Sequence, residues 1–159
     1  MERLWAPWRM TYINGIGKSG GCFLCAAANE TARDDENLVV WRNPDAFCVI
    51  NRFPYNNGHL LVAPARHTGE LADLTDGQRH AVLEGLILSK ALLEKTMKPD
   101  GFNMGLNLGR VAGAGLLDHL HFHIVPRWDG DTNFMPVLAD TKIMPQHLSD
   151  LYVILKKAL

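Results

Sequence analysis

Short apolar runs separated by turn residues fill the middle of the chain's first half. The segments NLVVWRN (37–43), AFCVIN (46–51) and GHLLVAP (58–64) are rich in β-branched and aromatic residues. The turn-forming sequences NPD and RFPYNN separate them. This pattern predicts three short, neighbouring strands.

The pattern then changes to a helical one over residues 75–97. Thr75 and Gln78 have the spacing of a capping box, and good helix formers follow. The apolar positions of this segment are too many for one core-facing stripe, which predicts a helix buried on two sides. They are Val82, Leu83, Leu86, Ile87, Leu92 and Leu93.

Four further segments complete the pattern. The segments GFNMGLNLG (101–109) and LHFHIVPR (120–127) predict two more strands. CFLCAAANE (22–30) predicts a short helix, and MPQHLSDLYVILKKAL (144–159) a closing helix with proline near its start and lysines near its end.

Strands and helices are thus segregated along the chain rather than alternating. This order predicts an α+β fold: an antiparallel five-stranded sheet with one long helix across a face and a C-terminal helix. The 159 residues fit a single domain, 1–159, in which residues 1–21 form an irregular arm carrying two tryptophans.

Composition narrows the class of partner. A formal net charge of −1 argues against binding to a nucleic acid polymer, which requires a basic surface. We also expect no membrane association and no export signal, because no long apolar run is present. The odd number of cysteines, two of them spaced as C-x-x-C, favours reduced thiols, a metal site or a redox pair over a disulfide framework, and the cytoplasm as compartment.

The most unusual feature is a row of histidines in an apolar run. His119, His121 and His123 alternate with Leu120, Phe122 and Ile124. On a strand the three imidazoles would share one face, where buried rings need polar partners. Two functions fit such a face: a catalytic metal site, or an imidazole nucleophile whose neighbours fix its tautomer and balance charge.

A glycine-rich loop leads into this histidine run. The segment GLNLGRVAGAGLLDH (105–119) lets backbone N–H groups approach a phosphate closely. Alone it is equally typical of a flexible connection. Beside three histidines it indicates phosphate chemistry.

These segments resemble a known family. The run His119-Leu-His121-Phe-His123-Ile-Val resembles the signature of the histidine-triad (HIT) superfamily. INRFPYNNGHLLVAPARH (50–67) and GLNLG are similar to its nucleotide-binding segments, and VPRWDGDTNFMPV (125–137) to a branch of bacterial diadenosine tetraphosphate phosphorylases and hydrolases. The resemblance spans about residues 22 to 150.

The resemblance implies a catalytic set of four histidines. His121 would attack the α-phosphorus of a nucleotide, and His123 would balance charge at the phosphate oxygens. His59 would lie behind the pair and orient it, and His119 would complete the triad. It implies no organic cofactor.

The resemblance also implies a substrate-binding set. Asn51 would meet the ribose, Asn107 the phosphate region, and the backbone N–H groups of Gly113 to Gly115 the phosphate itself. The full set is Asn51, Phe53, Asn107, Gly113, Ala114, Gly115, Arg127 and Trp128. One departure is that Ala114-Gly115-Leu116 stands where relatives carry a Gln or Ser, so a side-chain donor to the leaving phosphate is missing.

A structural zinc site is implied as well. Cys22 and Cys25 form a common half-site, and in zinc-carrying relatives it is completed by two histidines that correspond here to His67 and His119. His119 would then face the metal and leave the other two triad histidines to the phosphate. Cys48 is expected to be a small buried residue, and Asp129 and Asp131 ordinary loop residues.

Several reactions are compatible with these residues. The leading one is nucleotidyl transfer from a dinucleoside polyphosphate, such as diadenosine tetraphosphate, to phosphate or water through a nucleotidyl-histidine. An adenosine 5′-phosphoramidate hydrolase, or a zinc-stabilised nucleotide-binding module with little turnover, are the alternatives. The resemblance further implies a homodimer that pairs the strand near 101–108 and the long helix across a two-fold axis.

Overall fold

The computed structural model describes residues 21–133, 135 and 143–159. Most of the predicted N-terminal arm and part of the segment after the histidines therefore lie outside the described residues. The predicted strands and helices are all present, with the following bounds: β1 Val39–Arg42, β2 Ala46–Ile50, β3 Leu60–Pro64, β4 Gly101–Leu106, β5 Phe122–Arg127, α1 Phe23–Asn29, α2 Asp76–Met97 and α3 Leu148–Ala158.

The strands form one antiparallel sheet in the order β1-β2-β3-β5-β4. The first three strands follow each other as hairpins, whereas β5 enters beside β3 and leaves β4 at the edge. Residue Leu61 of β3 lies opposite His123 of β5, and Gly105 of β4 lies opposite the same histidine. The predicted α+β fold with a five-stranded antiparallel sheet is confirmed.

The two faces of the sheet have different partners. One face packs against α2 and α3, and its buried members include Trp41, Cys48, Val62, Leu86, Leu93, Ile124 and Leu155. The opposite face carries a smaller apolar cluster beneath α1: Leu24, Ala27, Val39, Phe47, Val49, Leu61 and Ala63. Because side chains alternate along a strand, His123 shares this second face with Leu61, away from the long helix.

The long helix begins at the predicted capping box. Thr75 Oγ1 accepts a hydrogen bond from the backbone N–H of Gln78, whose side-chain oxygen accepts one from the Thr75 N–H. Lys98, in the left-handed conformation at φ 47°, ends the helix. Within the described residues, no helix combines the length and apolarity needed to cross a bilayer.

A glycine allows the helix to lie close to the sheet. A Cβ on Gly85 would stand 2.8 Å from Cζ2 of Trp41, which is too close for two carbon atoms. The Trp41 indole is held there by a hydrogen bond of 2.9 Å from Nε1 to Ser89 Oγ. The tryptophan therefore fills a space that only a glycine leaves open.

We therefore expect Gly85→Ala to destabilise the protein by about 1–3 kcal/mol, since overpacking outweighs the gain in helix propensity. Gly77→Ala is the matched control, because its Cβ would meet only Thr75 Oγ1 at 3.9 Å. That change should leave stability equal or raise it by up to about 1 kcal/mol. Urea denaturation of both variants measures the difference, and equal midpoints would contradict the packing argument.

Candidate active site and metal centre

The histidine run is only partly a strand. Hydrogen bonding with β3 ends at the pair Val62 and Phe122. The strand predicted to start at Leu120 therefore starts at Phe122, and His119 and His121 both precede it. Instead of a ladder, this part of the chain bonds to single carbonyls, one on the last residue of β3 and one just beyond it. Pro64 O bonds His119 Nε2 at 2.9 Å, and Thr68 O accepts from Leu120 N at 2.7 Å.

His121 is held as a neutral imidazole with a defined tautomer. Its Nδ1 lies 2.9 Å from the carbonyl oxygen of His119, and because a carbonyl only accepts, Nδ1 carries the proton. Nε2 then bears the lone pair. The side chain is 5% exposed, and burial lowers the pKa of His121, an effect that the bond to His119 partly opposes. The ring is thus neutral, with Nε2 unprotonated.

A second chain of hydrogen bonds fixes His59 and His123. The backbone N–H of Tyr55 donates to His59 Nδ1 at 3.0 Å, so the proton of a neutral His59 is on Nε2. That nitrogen is 2.9 Å from His123 Nδ1, which must accept. His123 therefore carries its own proton on Nε2. Its ring centroid is 5.1 Å from that of His121.

The side chains of Cys22, Cys25, His67 and His119 converge on one point. Cys25 Sγ lies 3.1 Å from His67 Nδ1 and 3.5 Å from His119 Nδ1. Cys22 Sγ is 3.3 Å from His119 Nδ1, and the two imidazole Nδ1 atoms are 3.3 Å apart. One ligand atom from each residue lies within 4.8 Å of all the others. The structure thus brings together the four predicted ligands.

These distances fit a tetrahedral ion. With metal–nitrogen bonds of about 2.1 Å and metal–sulfur bonds of about 2.3 Å, two nitrogens would be about 3.4 Å apart and nitrogen and sulfur about 3.6 Å. His119 meets the further requirement of a fixed tautomer, since Nε2 is bonded to Pro64 O and Nδ1 is left to coordinate. His119 is also buried, with 1% of its surface exposed.

The thiols differ in their surroundings. Burial, and then the neighbouring Cys22, raise the pKa of Cys25 to about 11, so a bound cation is needed to hold it as a thiolate near neutral pH. Cys48 lies in the core at 0% exposure, as expected, and burial raises its pKa to about 12. It takes no part in the group.

The substrate-binding residues predicted on loops lie in two places. Asn51 ends β2 beside His59, with its side-chain nitrogen 3.2 Å from His59 Nδ1, and Phe53 stands exposed on the same loop. In the glycine-rich loop, Gly113 N and Ala114 N donate to Arg110 O and Gly109 O. Two of the three predicted phosphate donors are therefore used inside the loop, and we retain only the N–H of Gly115.

Arg127 and Trp128 are not brought to the histidines. Arg127 is four residues beyond His123, about 13 Å along an extended strand, and it pairs with Asp131 and Asn103 beside a cleft of ≈ 340 Å³. Trp128 Nε1 donates to Met97 O at the end of α2, on the helical side of the sheet. Their predicted substrate roles are not supported by this placement.

Three residues of this region were not predicted. Tyr55 stacks on His123 at 5.6 Å between centroids, while Asn56 and Asp131 bond each other at 2.9 Å. The sequence offers one indication of their importance, which is that they lie in the segments 50–67 and 125–137 that resemble the family. Asp131 lies in a loop, as expected, but its side chain is only 8% exposed and accepts several hydrogen bonds.

Comparison with known proteins agrees with this geometry. The family model described as "HIT domain" matches residues 32–130, which is more than half of the chain. The chain is 39% identical over 156 residues to the AP-4-A phosphorylase of Mycobacterium tuberculosis, covering 94% of this chain and 80% of that protein. The chain belongs to the HIT family.

Solved structures of other proteins share the fold of this chain. A histidine triad nucleotide-binding protein of Sulfolobus tokodaii superposes with a TM-score of 0.68 at 23% identity, covering 86% of this chain and 91% of that one. A zinc-bound histidine triad family protein of Mycobacterium smegmatis gives 0.63 at 22% identity, covering 87% and 92%. Both likenesses concern the fold.

Proposed function

We propose that this chain is an enzyme that transfers a nucleotidyl group from a dinucleoside polyphosphate, of the diadenosine tetraphosphate type, to phosphate. The observation that carries the proposal is the bond from His121 Nδ1 to His119 O, which presents Nε2 as an unprotonated nucleophile. The 39% identity to an AP-4-A phosphorylase supports the choice of substrate and acceptor.

The reaction proceeds in two displacements. His121 Nε2 uses its lone pair to form a bond to the α-phosphorus, and the bond from that phosphorus to the bridging oxygen breaks with its electron pair leaving on the polyphosphate. A phosphate oxygen then attacks the same phosphorus and releases the imidazole. The products from diadenosine tetraphosphate are ADP and ATP, whereas water as acceptor would give AMP and ATP.

His123 supports both displacements without being the nucleophile. Its Nδ1 accepts from His59, so its proton lies on Nε2, from which it would donate to a phosphate oxygen and balance the charge that develops. Asn51, which directly follows β2, would meet the ribose hydroxyls, and the Gly115 N–H would meet the phosphate. Since Gly115 offers no side chain, the leaving group is stabilised by fewer donors than in relatives with a hydroxyl or amide there.

We also propose that the cluster of Cys22, Cys25, His67 and His119 binds zinc. A closed set of two sulfur and two nitrogen ligands gives zinc a structural role. The ion would tie α1 to the segment whose His119 carbonyl holds the nucleophile. The three cysteines are not joined in disulfides. We propose the reducing cytoplasm as the compartment of the protein.

The assembly we propose is a homodimer. β4 is an edge strand whose Met104 is 45% exposed, and α2 presents Leu83 and Ile87 at 55% and 54% exposure, one turn apart. Two such apolar surfaces related by a two-fold axis would cover each other and extend the sheet.

We expect His121→Ala to abolish turnover of diadenosine tetraphosphate, by at least about a thousandfold, because the nucleophile is removed. His80→Ala, at an exposed position of α2, is the matched control and should retain wild-type rates. Product analysis by chromatography, with and without phosphate, identifies the acceptor: ADP formed only with phosphate supports phosphorolysis. AMP in both conditions would establish hydrolysis instead, and AMP from adenosine phosphoramidate alone would support that alternative.

For the metal, we expect about one zinc per chain in protein purified without chelators. Chelation should make two thiols per chain reactive toward a chromogenic thiol reagent. Cys48 should react only after unfolding, because it is buried. Cys25→Ser should lose the metal, and Cys48→Ala should keep it. Far less than one zinc per chain by metal analysis would rule out the site.

For the assembly, sedimentation should give twice the chain mass of 17.7 kDa at micromolar concentration. Ile87→Glu on the exposed stripe of α2 should shift the protein toward the single-chain mass, because a charge would be buried without a partner. Val153→Glu, at an exposed position of α3 outside the paired surfaces, should not. A wild-type protein at the single-chain mass contradicts the homodimer.

A further inference from the structure

The carboxylate of Asp131 is the centre of a hydrogen-bond network at the end of β5. Arg127 donates to it twice, Nε to Oδ2 at 2.5 Å and its terminal nitrogen to Oδ1 at 3.0 Å. The Trp128 N–H donates to Oδ2 at 3.2 Å, and the side-chain nitrogen of Asn56 at 2.9 Å. A carboxylate that is 8% exposed is satisfied by such donors.

Asn56 connects this network to the loop between β2 and β3, in which it lies. Its side-chain nitrogen has two hydrogens, of which one meets Asp131 and the other Pro126 O at 3.2 Å. The residue is 8% exposed, so its rotamer is fixed by both bonds. Its backbone carbonyl in turn accepts from the N–H of His59 at 3.2 Å. Asn56 therefore ties the loop to the end of β5.

The pinned loop delivers the donor that sets the histidine tautomers. Tyr55 immediately precedes Asn56, and its N–H donates to His59 Nδ1 at 3.0 Å. The side-chain nitrogen of Asn51 lies 3.2 Å from the same ring nitrogen, so two donors keep the proton of His59 off Nδ1. If the Tyr55 N–H moved, Asn51 alone would hold this tautomer, and His59 could more readily carry its proton on Nδ1 and no longer donate to His123. His123 would then lose the arrangement that places its proton on Nε2.

We propose that Asp131 is a positioning residue for catalysis, which acts through Asn56 and Tyr55 to hold His59 and His123 in their productive tautomers. The proposal rests on the function proposed above, but its physical core concerns the free protein. It assigns a role to a loop aspartate whose hydrogen-bond donors are Arg127, Trp128 and Asn56.

The test compares Asp131→Asn with Asp129→Asn. Asp129 lies in the same turn and is exposed, so its variant controls for loss of a negative charge in the loop. We expect Asp131→Asn to lower kcat by about tenfold or more, a size that small misplacements of catalytic groups produce, with KM little changed. Asp129→Asn should match wild type in both. Asp131→Glu, which restores the carboxylate, should recover part of kcat.

A spectroscopic arm separates positioning from general weakening. Long-range proton–nitrogen NMR of the imidazoles reports which ring nitrogen is protonated. Wild type should show His59 and His123 with protons on Nε2, and Asp131→Asn should shift both toward mixed tautomers. Asn56→Ala breaks the same path elsewhere and should give the same spectra, which keeps the test decisive if Asp131→Asn does not fold.

Unchanged tautomers in a folded Asp131→Asn or Asn56→Ala overturn the proposal, even if kcat falls, because the loss would then be structural. A kcat equal to that of Asp129→Asn overturns it as well. Absence of turnover in wild type would count against the proposed function alone, since the tautomer measurement needs no substrate.

Discussion

The pairing of β3 with β5 is the constraint on which the site depends. Three residue pairs, from Leu60 and Ile124 to Val62 and Phe122, join segments far apart in the chain. Because side chains alternate, a slip of one residue would turn His123 toward α2 and expose Ile124. The apolar residues that face the helices thus keep the histidines on the other side, so core packing and chemistry are set by the same register.

Buried imidazoles near this pairing are each given a partner of known polarity. His119 and His121 donate to carbonyls, whereas His59 accepts from a backbone N–H and donates a hydrogen bond to His123. Carbonyls and amide N–H groups have only one role in a hydrogen bond, so they decide the tautomers. His119 serves twice, since its ring faces the cysteines while its carbonyl holds His121.

Much of this was predictable from the sequence, for identifiable reasons. Strand alternation, the Thr75–Gln78 capping box and the spacing of the histidines are local patterns, and the fold follows from them. The four metal ligands came from resemblance, because nothing local places Cys22 beside His119, 97 residues away. The start of β5 at Phe122, the use of Gly113 N–H inside its loop and the burial of Asp131 depend on tertiary contacts that no short window contains.

The wide separation of the partners has a consequence for the order of folding. β1 and β2 are joined by residues 43–45 and β2 and β3 by residues 51–59, so their hairpins close over few residues, whereas His59 and His123 meet across 64. Closing long loops is slower than closing short ones, since more chain entropy is lost before contacts form. We therefore expect the sheet to grow outward from its hairpins and the four histidines to assemble last. Catalytic competence would then mark the completion of folding, and a chain arrested before that step would be structured yet inert.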